Sequence, residues 1–215
     1  MGKLVLSASQ LGEKCLRKLW YLSRGWVEEV GEELQRVFDI GKALEPVVVE
    51  WMRRDGFEVY YNEKGHADAP DFSIRVGKGE VQGRFDAVLL NEGVLVDIKT
   101  CGDVLFSRIL EGDIPERYLV QVNVYFFGVK LFGDSVRGDI REVIRKVGIV
   151  GVHKATGKME VVVMEPDLEV FTRAIEKAKR VFDAENPFVL ESAGEIECQG
   201  CGFGKVCRGL ERKND

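Results

Sequence analysis

Residues 83–99, Gly-Arg-Phe-Asp-Ala-Val-Leu-Leu-Asn-Glu-Gly-Val-Leu-Val-Asp-Ile-Lys, set the strongest limit on what this chain can fold into. The spans 85–90 and 94–98 are apolar and rich in strand formers, and Asn91-Glu92-Gly93 between them is a turn signal, so the stretch reads as a β-hairpin. Its strands nevertheless carry Asp86, Asp97 and Lys99. A charge inside an apolar hairpin is costly to bury unless it meets a metal ion or a partner, and the three therefore mark a functional position. Register decides whether they can act together, because residues opposite one another in an antiparallel pair project from the same face. A two-residue turn at Asn91-Glu92 or at Glu92-Gly93 puts Asp86 opposite Asp97 or Lys99, with all three on one face; a three-residue loop without a bulge separates them. Two carboxylates beside an ammonium suit a hard divalent cation and a developing oxyanion. The alternative is a salt-bridged surface hairpin, since Asp-x-Lys alone is a common tripeptide.

Around this hairpin the chain alternates helical and strand patterns. Ser7 followed three residues later by Gln10 is a capping box and predicts a helix that carries Cys15 and a basic face of Lys14, Arg17, Lys18 and Arg24. Helical spacing of Leu34, Val37, Phe38, Leu44, Val48, Trp51 and Met52 predicts a helix over 32–55, kinked or broken near Pro46, with Glu45 at the irregularity. Short strands are expected at 57–61 and 72–76, flanking a polar loop with His66 and Pro70. After the hairpin come a short helix over 103–110 and a longer one over 117–132 that is apolar on most sides, hence buried. Gln121 and Tyr125 in it stand four apart and share a face. A second hairpin, 147–152 with 159–164, leads to an amphipathic helix that Asp167 caps and that runs to about residue 184. Helices and strands in this order describe an α/β sheet with helices on its faces.

Composition narrows the compartment and the chemistry. With 45% apolar and 31% charged residues and no long apolar run, a globular cytoplasmic protein is expected, without signal peptide, transmembrane helix or membrane partner. The net charge of −5 supplies no overall attraction to nucleic acid, so DNA binding must use local Lys and Arg patches. Few Asn and Gln beside many Glu, Lys, Arg and Val fit a thermophilic source. Five cysteines in such a chain point to metal or redox chemistry more than to a disulfide scaffold. Cys198, Cys201 and Cys207 form Cys-x2-Cys-x5-Cys in a glycine-rich tail, Cys15 stands alone near the other end, and Cys101 follows the hairpin.

Taken together, the ordered set Gly41-x-x-x-Glu45, Gly83-x-Phe-Asp86, Asp97-Ile98-Lys99 and Gln121-x-x-x-Tyr125 resembles the PD-(D/E)XK nucleases of the RecB type over roughly the central hundred residues. One upstream cysteine and three downstream further resemble that superfamily's iron-sulfur branch, the CRISPR-associated RecB-like exonucleases ("Cas-four" family) and the AddB nuclease domain; the length is similar to the CRISPR type. Glu45 stands where many members have histidine, a pattern closer to the phage lambda-type exonucleases, and Asp97 stands where some relatives have Glu.

The resemblance implies a single nuclease domain over 1–215, with a core at about 32–165 and cluster-binding ends at 7–24 and 186–212. The core is a restriction-endonuclease-like central mixed sheet flanked by helices. Asp86, Asp97, the carbonyl of Ile98 and Glu45 would hold one or two Mg²⁺ or Mn²⁺ ions, Lys99 would orient or deprotonate the attacking water, and Gln121 and Tyr125 would position the strand. Cys15, Cys198, Cys201 and Cys207 would ligate a [4Fe-4S] cluster that joins the ends; a zinc site with the same ligands is the alternative. The implied activity is exonucleolytic trimming of DNA, single-stranded ends above all, in CRISPR spacer processing with an integrase as partner. A DNA-binding scaffold without turnover, or a viral or recombination exonuclease, is the other reading.

Overall fold

The computed structural model describes residues 3–62, 69–133, 135–194 and 198–209. The expected loop with His66, and parts of the cysteine tail at 195–197 and 210–212, lie outside them. In chain order the elements are β1 (Leu4–Ser7), α1 (Leu16–Ser23), α2 (Glu32–Arg54), β2 (Val59–Tyr61), β3 (Phe72–Val76), β4 (Gly79–Gly83), β5 (Ala87–Leu89) and β6 (Val94–Cys101). There follow α3 (Asp103–Leu110), α4 (Glu116–Phe132), α5 (Gly138–Val143), β7 (Lys146–His153), β8 (Met159–Met164), α6 (Leu168–Asp183) and a short α7 (Gly204–Cys207).

The expected central mixed sheet is present, with strand order β2-β5-β6-β7-β8. Its β6 and β7 run parallel and the other neighbours antiparallel. β6 is apolar apart from Asp97, Lys99 and Thr100, because both of its faces are covered. On one face Ala87, Leu89, Val94, Val96 and Ile98 pack on Val48, Val49 and Met52 of α2. On the other, Val88, Leu95, Val147 and Ile149 join the larger core with α4, and Ala174, Ala178, Val181 and Phe182 of α6 close it.

A second sheet, β1-β4-β3, stands beside the first. Its β1 and β4 were not legible as strands. The inward positions of β4 are Gly79, Val81 and Gly83, and the two glycines make room for aromatic rings: a Cβ at Gly79 would stand 2.6 Å from the Phe182 ring, and one at Gly83 2.2 Å from Phe72. A strand whose core-facing residues lack side chains shows no alternation.

Three local expectations are corrected. The box at Ser7 caps only a 3₁₀ turn, Ala8–Gln10, with the Ser7 N–H donating to Gln10 Oε1 at 2.8 Å; α1 begins later, with Cys15 as its N-cap. α2 passes through Pro46 as one helix, so of the kink or break expected there the break does not occur. Proline removes one amide donor, and the buried Val48, Val49 and Met52 beyond it keep the helix on the sheet. The hairpin's first strand is shorter than 85–90, spanning only Ala87–Leu89.

Glu80 of β4 fastens the second sheet. It takes the Lys3 ammonium at 2.8 Å, the Ser73 hydroxyl at 2.7 Å and the Gln82 amide at 3.3 Å. Lys3 first, then Ser73, hold its carboxyl down at about 2 from the usual 4.5. A depressed carboxyl pKa contributes stability that is fully present above its unfolded value and is lost as pH falls through its folded one. The melting-temperature gap between wild type and Glu80→Gln is therefore expected to be widest above pH 5 and to close toward pH 2; a gap independent of pH would refute the assignment.

Candidate active site

The site forms where the chain crosses from one sheet to the other, at residues 84–86. Asn62 and Asp71 grip this crossing. Asp71 Oδ2 accepts from Asn62 Nδ2 at 2.7 Å and from the Phe85 N–H at 3.0 Å. Asn62 Nδ2 also donates to the Phe85 carbonyl at 3.1 Å, and the Asn62 N–H to the Asp86 carbonyl at 3.0 Å. Burial pushes the Asp71 carboxyl pKa up, against the pull of these hydrogen bonds.

The hairpin register then places the charges. β5 and β6 pair Ala87 with Val96, Val88 with Leu95 and Leu89 with Val94, which leaves a four-residue loop. Its register equals that of a two-residue turn at Asn91-Glu92, one of the two arrangements that bring the charges together. Gly93 secures it with φ +66°: a Cβ there would stand 2.7 Å from the Val143 carbonyl, and the Gly93 carbonyl accepts from Arg145 and Lys146. One step beyond the ladder Asp86 faces Asp97. Asp86 ends the strand early because its carboxylate takes the place of the ladder: Oδ2 accepts the Ile98 N–H at 2.9 Å. A strand residue's N–H and C=O point to the same edge, so the Ile98 carbonyl is directed toward Asp86 as well.

Asp97 and Lys99 alternate with Leu95 on the face that α4 covers. Asp97 is 1% exposed; its Oδ1 accepts from Gln121 Nε2 at 2.8 Å and its Oδ2 lies 2.7 Å from Lys99 Nζ. Lys99 Nζ donates to Gln121 Oε1 at 3.2 Å, and Gln121 Nε2 donates to Tyr125 Oη at 2.8 Å. The Gln121 amide thus sets its acceptor toward the ammonium and its donor toward the carboxylate; the flipped amide would oppose like to like. Burial opposes the Lys99 charge, but Asp97, then Asp86 and Tyr118, hold its pKa above the ordinary lysine value. Burial first, then Asp97 and Asp86, keep the Tyr125 hydroxyl pKa well above that of a free phenol.

The structure therefore brings together Asp86, Asp97, Lys99, Gln121 and Tyr125. Glu45 is half-buried on the stripe of α2 that runs from Gly41, which passes Thr100, to Val48 and Val49. Among the described residues no group of three or more His, Cys, Asp or Glu side chains is arranged to hold a metal ion. Asp86, Asp97 and the Ile98 carbonyl nonetheless offer the all-oxygen donors that Mg²⁺ and Mn²⁺ select.

Sequence reasoning missed three residues here. Tyr118, with its ring centroid 4.9 Å from Lys99 Nζ, stands three before Gln121 and seven before Tyr125, and that helical stripe could have disclosed it. Asn62 and Asp71 act through contacts that no local pattern announces.

Cys15, Cys198, Cys201 and Cys207 line one cavity of about 40 Å³ with Arg17, Lys18 and Arg208, over the stacked rings of Tyr21 and Phe203. Cys15 caps α1 and accepts the Lys18 N–H at 3.4 Å. All four are free thiols, and burial pushes the Cys201 thiol pKa up. Cys101 is buried apart from them, donating to the Lys99 carbonyl.

No protein-family model and no curated protein sequence matches the chain. Solved structures do. The protein SSO0001 is similar over 99% of this chain and 90% of its own, at 16% identity and a TM-score of 0.58. An alkaline exonuclease from Laribacter hongkongensis is similar over 96% and 94%, at 16% identity and 0.53. A phage-related exonuclease from Haemophilus somnus 129PT is similar over 85% and 95%, at 13% identity and 0.52. At such identities the likeness is one of fold. Among the described residues no helix is long and apolar enough to cross a membrane.

Proposed function

We propose that this chain is a metal-dependent deoxyribonuclease that removes nucleotides from DNA ends. The observation that carries the reading is the convergence of Asp86, Asp97 and Lys99 on one sheet face, backed by Gln121 and Tyr125. Exonucleases that share the fold support it, one of them with dAMP bound.

Asp86, Asp97 and the Ile98 carbonyl would hold Mg²⁺ or Mn²⁺, with Glu45 assigned as a further oxygen donor on the motif resemblance alone. The chemistry such a site would supply is a lowered pKa for a bound water and polarisation of the scissile phosphate. The remaining work falls to the chain. Lys99 offsets charge that accumulates on the phosphate, Gln121 keeps Lys99 and Asp97 in register, and Tyr125 fixes the Gln121 amide. A groove of about 700 Å³ is lined by Lys14, Lys18, Arg108 and Arg117 together with Glu13, Glu28 and Glu116; Lys18 pairs with Glu13 and Glu28 and Arg108 with Asp113, which leaves Lys14 and Arg117 as the cations it offers a single strand on a net-acidic protein.

The four cysteines are assigned a [4Fe-4S] cluster of structural role. Four thiols around one cavity supply the ligands, and Arg17, Lys18 and Arg208 offset a cluster's negative charge. Zinc on the same ligands is the alternative. The finer placement, trimming of spacer precursors for a CRISPR integrase, rests on the cysteine spacing and the chain length. A DNA-binding scaffold without turnover is the second reading.

End-labelled single- and double-stranded DNA separates the two. Nucleotides should be released only with Mg²⁺ or Mn²⁺, single-stranded ends fastest, and Lys99→Ala should lose about 10²-fold in rate with metal affinity retained. Wild type that cleaves no DNA end in Mn²⁺ promotes the scaffold.

A further inference from the structure

The Lys99 ammonium has three neighbours that bear on its position. Asp97 Oδ2 lies at 2.7 Å, Gln121 Oε1 at 3.2 Å and the centre of the Tyr118 ring at 4.9 Å. The first of these conflicts with the proposed function. A carboxylate that ligates a divalent ion is drawn on by two more charges, and its hold on the ammonium weakens. Lysine ends a flexible four-carbon stem, so an ammonium that loses its carboxylate swings unless something else retains it.

We infer that Tyr118 is a positioning residue for Lys99, its aromatic face retaining the ammonium beside Gln121 when Asp97 is engaged elsewhere. The inference rests on the nuclease reading. A lysine within about 6 Å of a ring centroid is attracted by the ring's quadrupole, the more strongly when partly desolvated, as the half-buried Lys99 is. The ring is itself held. Tyr118 lies on the α4 stripe of Gln121 and Tyr125, and Arg117 Nη2 donates to its hydroxyl at 2.9 Å with the guanidinium 4.8 Å from the ring centre. Gln121 is in turn fixed by Tyr125. One helix face therefore presents an acceptor and a π surface to the same ammonium, neither of which a metal ion on the carboxylates would claim. Asp97 sets the position of Lys99 before the site is loaded, and Tyr118 with Gln121 preserves it afterwards.

The test compares Tyr118→Phe, which keeps the ring and loses the tie to Arg117, with Tyr118→Leu, which keeps apolar bulk and loses the π face. Each is made alone and with Lys99→Ala, and kcat and KM are measured on single-stranded DNA at saturating Mn²⁺. Tyr118→Leu should lower kcat about tenfold, the effect of a partly desolvated cation–π contact, with KM and Mn²⁺ affinity within about twofold of wild type. Tyr118→Phe should stay within about twofold in kcat. In the Lys99→Ala background Tyr118→Leu should cost nothing further, because the residue acts through the lysine. A Phe variant as slow as Leu, a loss confined to KM, or an undiminished loss without Lys99 would overturn the inference.

A second measurement needs no turnover. In protein labelled at lysine, the Tyr118 ring should shift the Lys99 Hε resonances upfield, and the shift should persist in Asp97→Asn, which weakens the carboxylate's hold as a metal would. Migration of that resonance to the free-lysine position defeats the inference whether or not the protein cleaves DNA. Wild-type inactivity with the shift retained defeats the nuclease reading alone.

Discussion

Asp97→Ala protein is expected to leave every DNA end intact, with a fall in rate of at least ~10²–10³-fold, the loss that follows removal of a group aimed at developing charge. Asp97 is the most buried charge of the site at 1% exposure, and three functions meet on it. It is a proposed metal ligand, it is the counter-ion of Lys99, and it accepts the Gln121 amide at 2.8 Å. Alanine removes all three and leaves the Gln121 donor and the Lys99 charge facing a cavity. Asp97→Asn keeps an acceptor for Gln121 and removes the charge, so it should retain more stability while remaining inactive. Calorimetric titration with Mn²⁺ beside the cleavage assay checks both halves, and wild-type cleavage by Asp97→Ala would sink the active-site assignment. Because the anchors of Asp86, namely the Ile98 amide and the Asn62–Asp71 grip on its backbone, do not involve Asp97, its position should survive the substitution.

Replacing any one of Cys15, Cys198, Cys201 or Cys207 by Ala should bleach anaerobically purified protein and lower its melting temperature, whereas Cys101→Ala should bleach nothing. Cys15 stands at the start of α1 and the other three in the tail, so a group bound by all four closes a loop of nearly the whole described chain. A covalent staple over such a loop is worth about 2–5 kcal/mol, which in a chain of this size corresponds to roughly 5–20 °C. Cys101 differs because its thiol is buried in the larger core and bonds the Lys99 carbonyl. Iron and sulfide analysis with a melting curve decides the matter. Stoichiometric zinc without iron in native protein would replace the iron-sulfur assignment by the zinc one and leave the staple argument in place.

Part of this molecule could be read from the chain alone, and it is the part governed by period and parity. That Asp86, Asp97 and Lys99 share a face follows once the loop between strands of fixed alternation has an even number of residues, as the four-residue loop does; which of Asp97 and Lys99 stands opposite Asp86 was fixed only by the register of the folded hairpin. The Gln121–Tyr125 pair follows from helical spacing, the Asp167 cap from side-chain chemistry, and the strand Met159–Met164 from an apolar run between turn residues. In each case the determining contacts lie a few residues apart.

Tertiary structure decided whatever depended on distant residues meeting. Gly79 and Gly83 make a strand only because Phe182 and Phe72 need the space above them, a fact invisible in a pattern of side chains. Asn62 and Asp71 become the grip on Asp86 through a chain crossing between sheets, and Tyr118 gains its place at Lys99 only when α4 is laid across β6. The four cysteines share a cavity because α1 and the tail pack together, with Tyr21 of one stacked on Phe203 of the other. Local periodicity determines which residues of an element face the same way; only the packing of elements determines what they face.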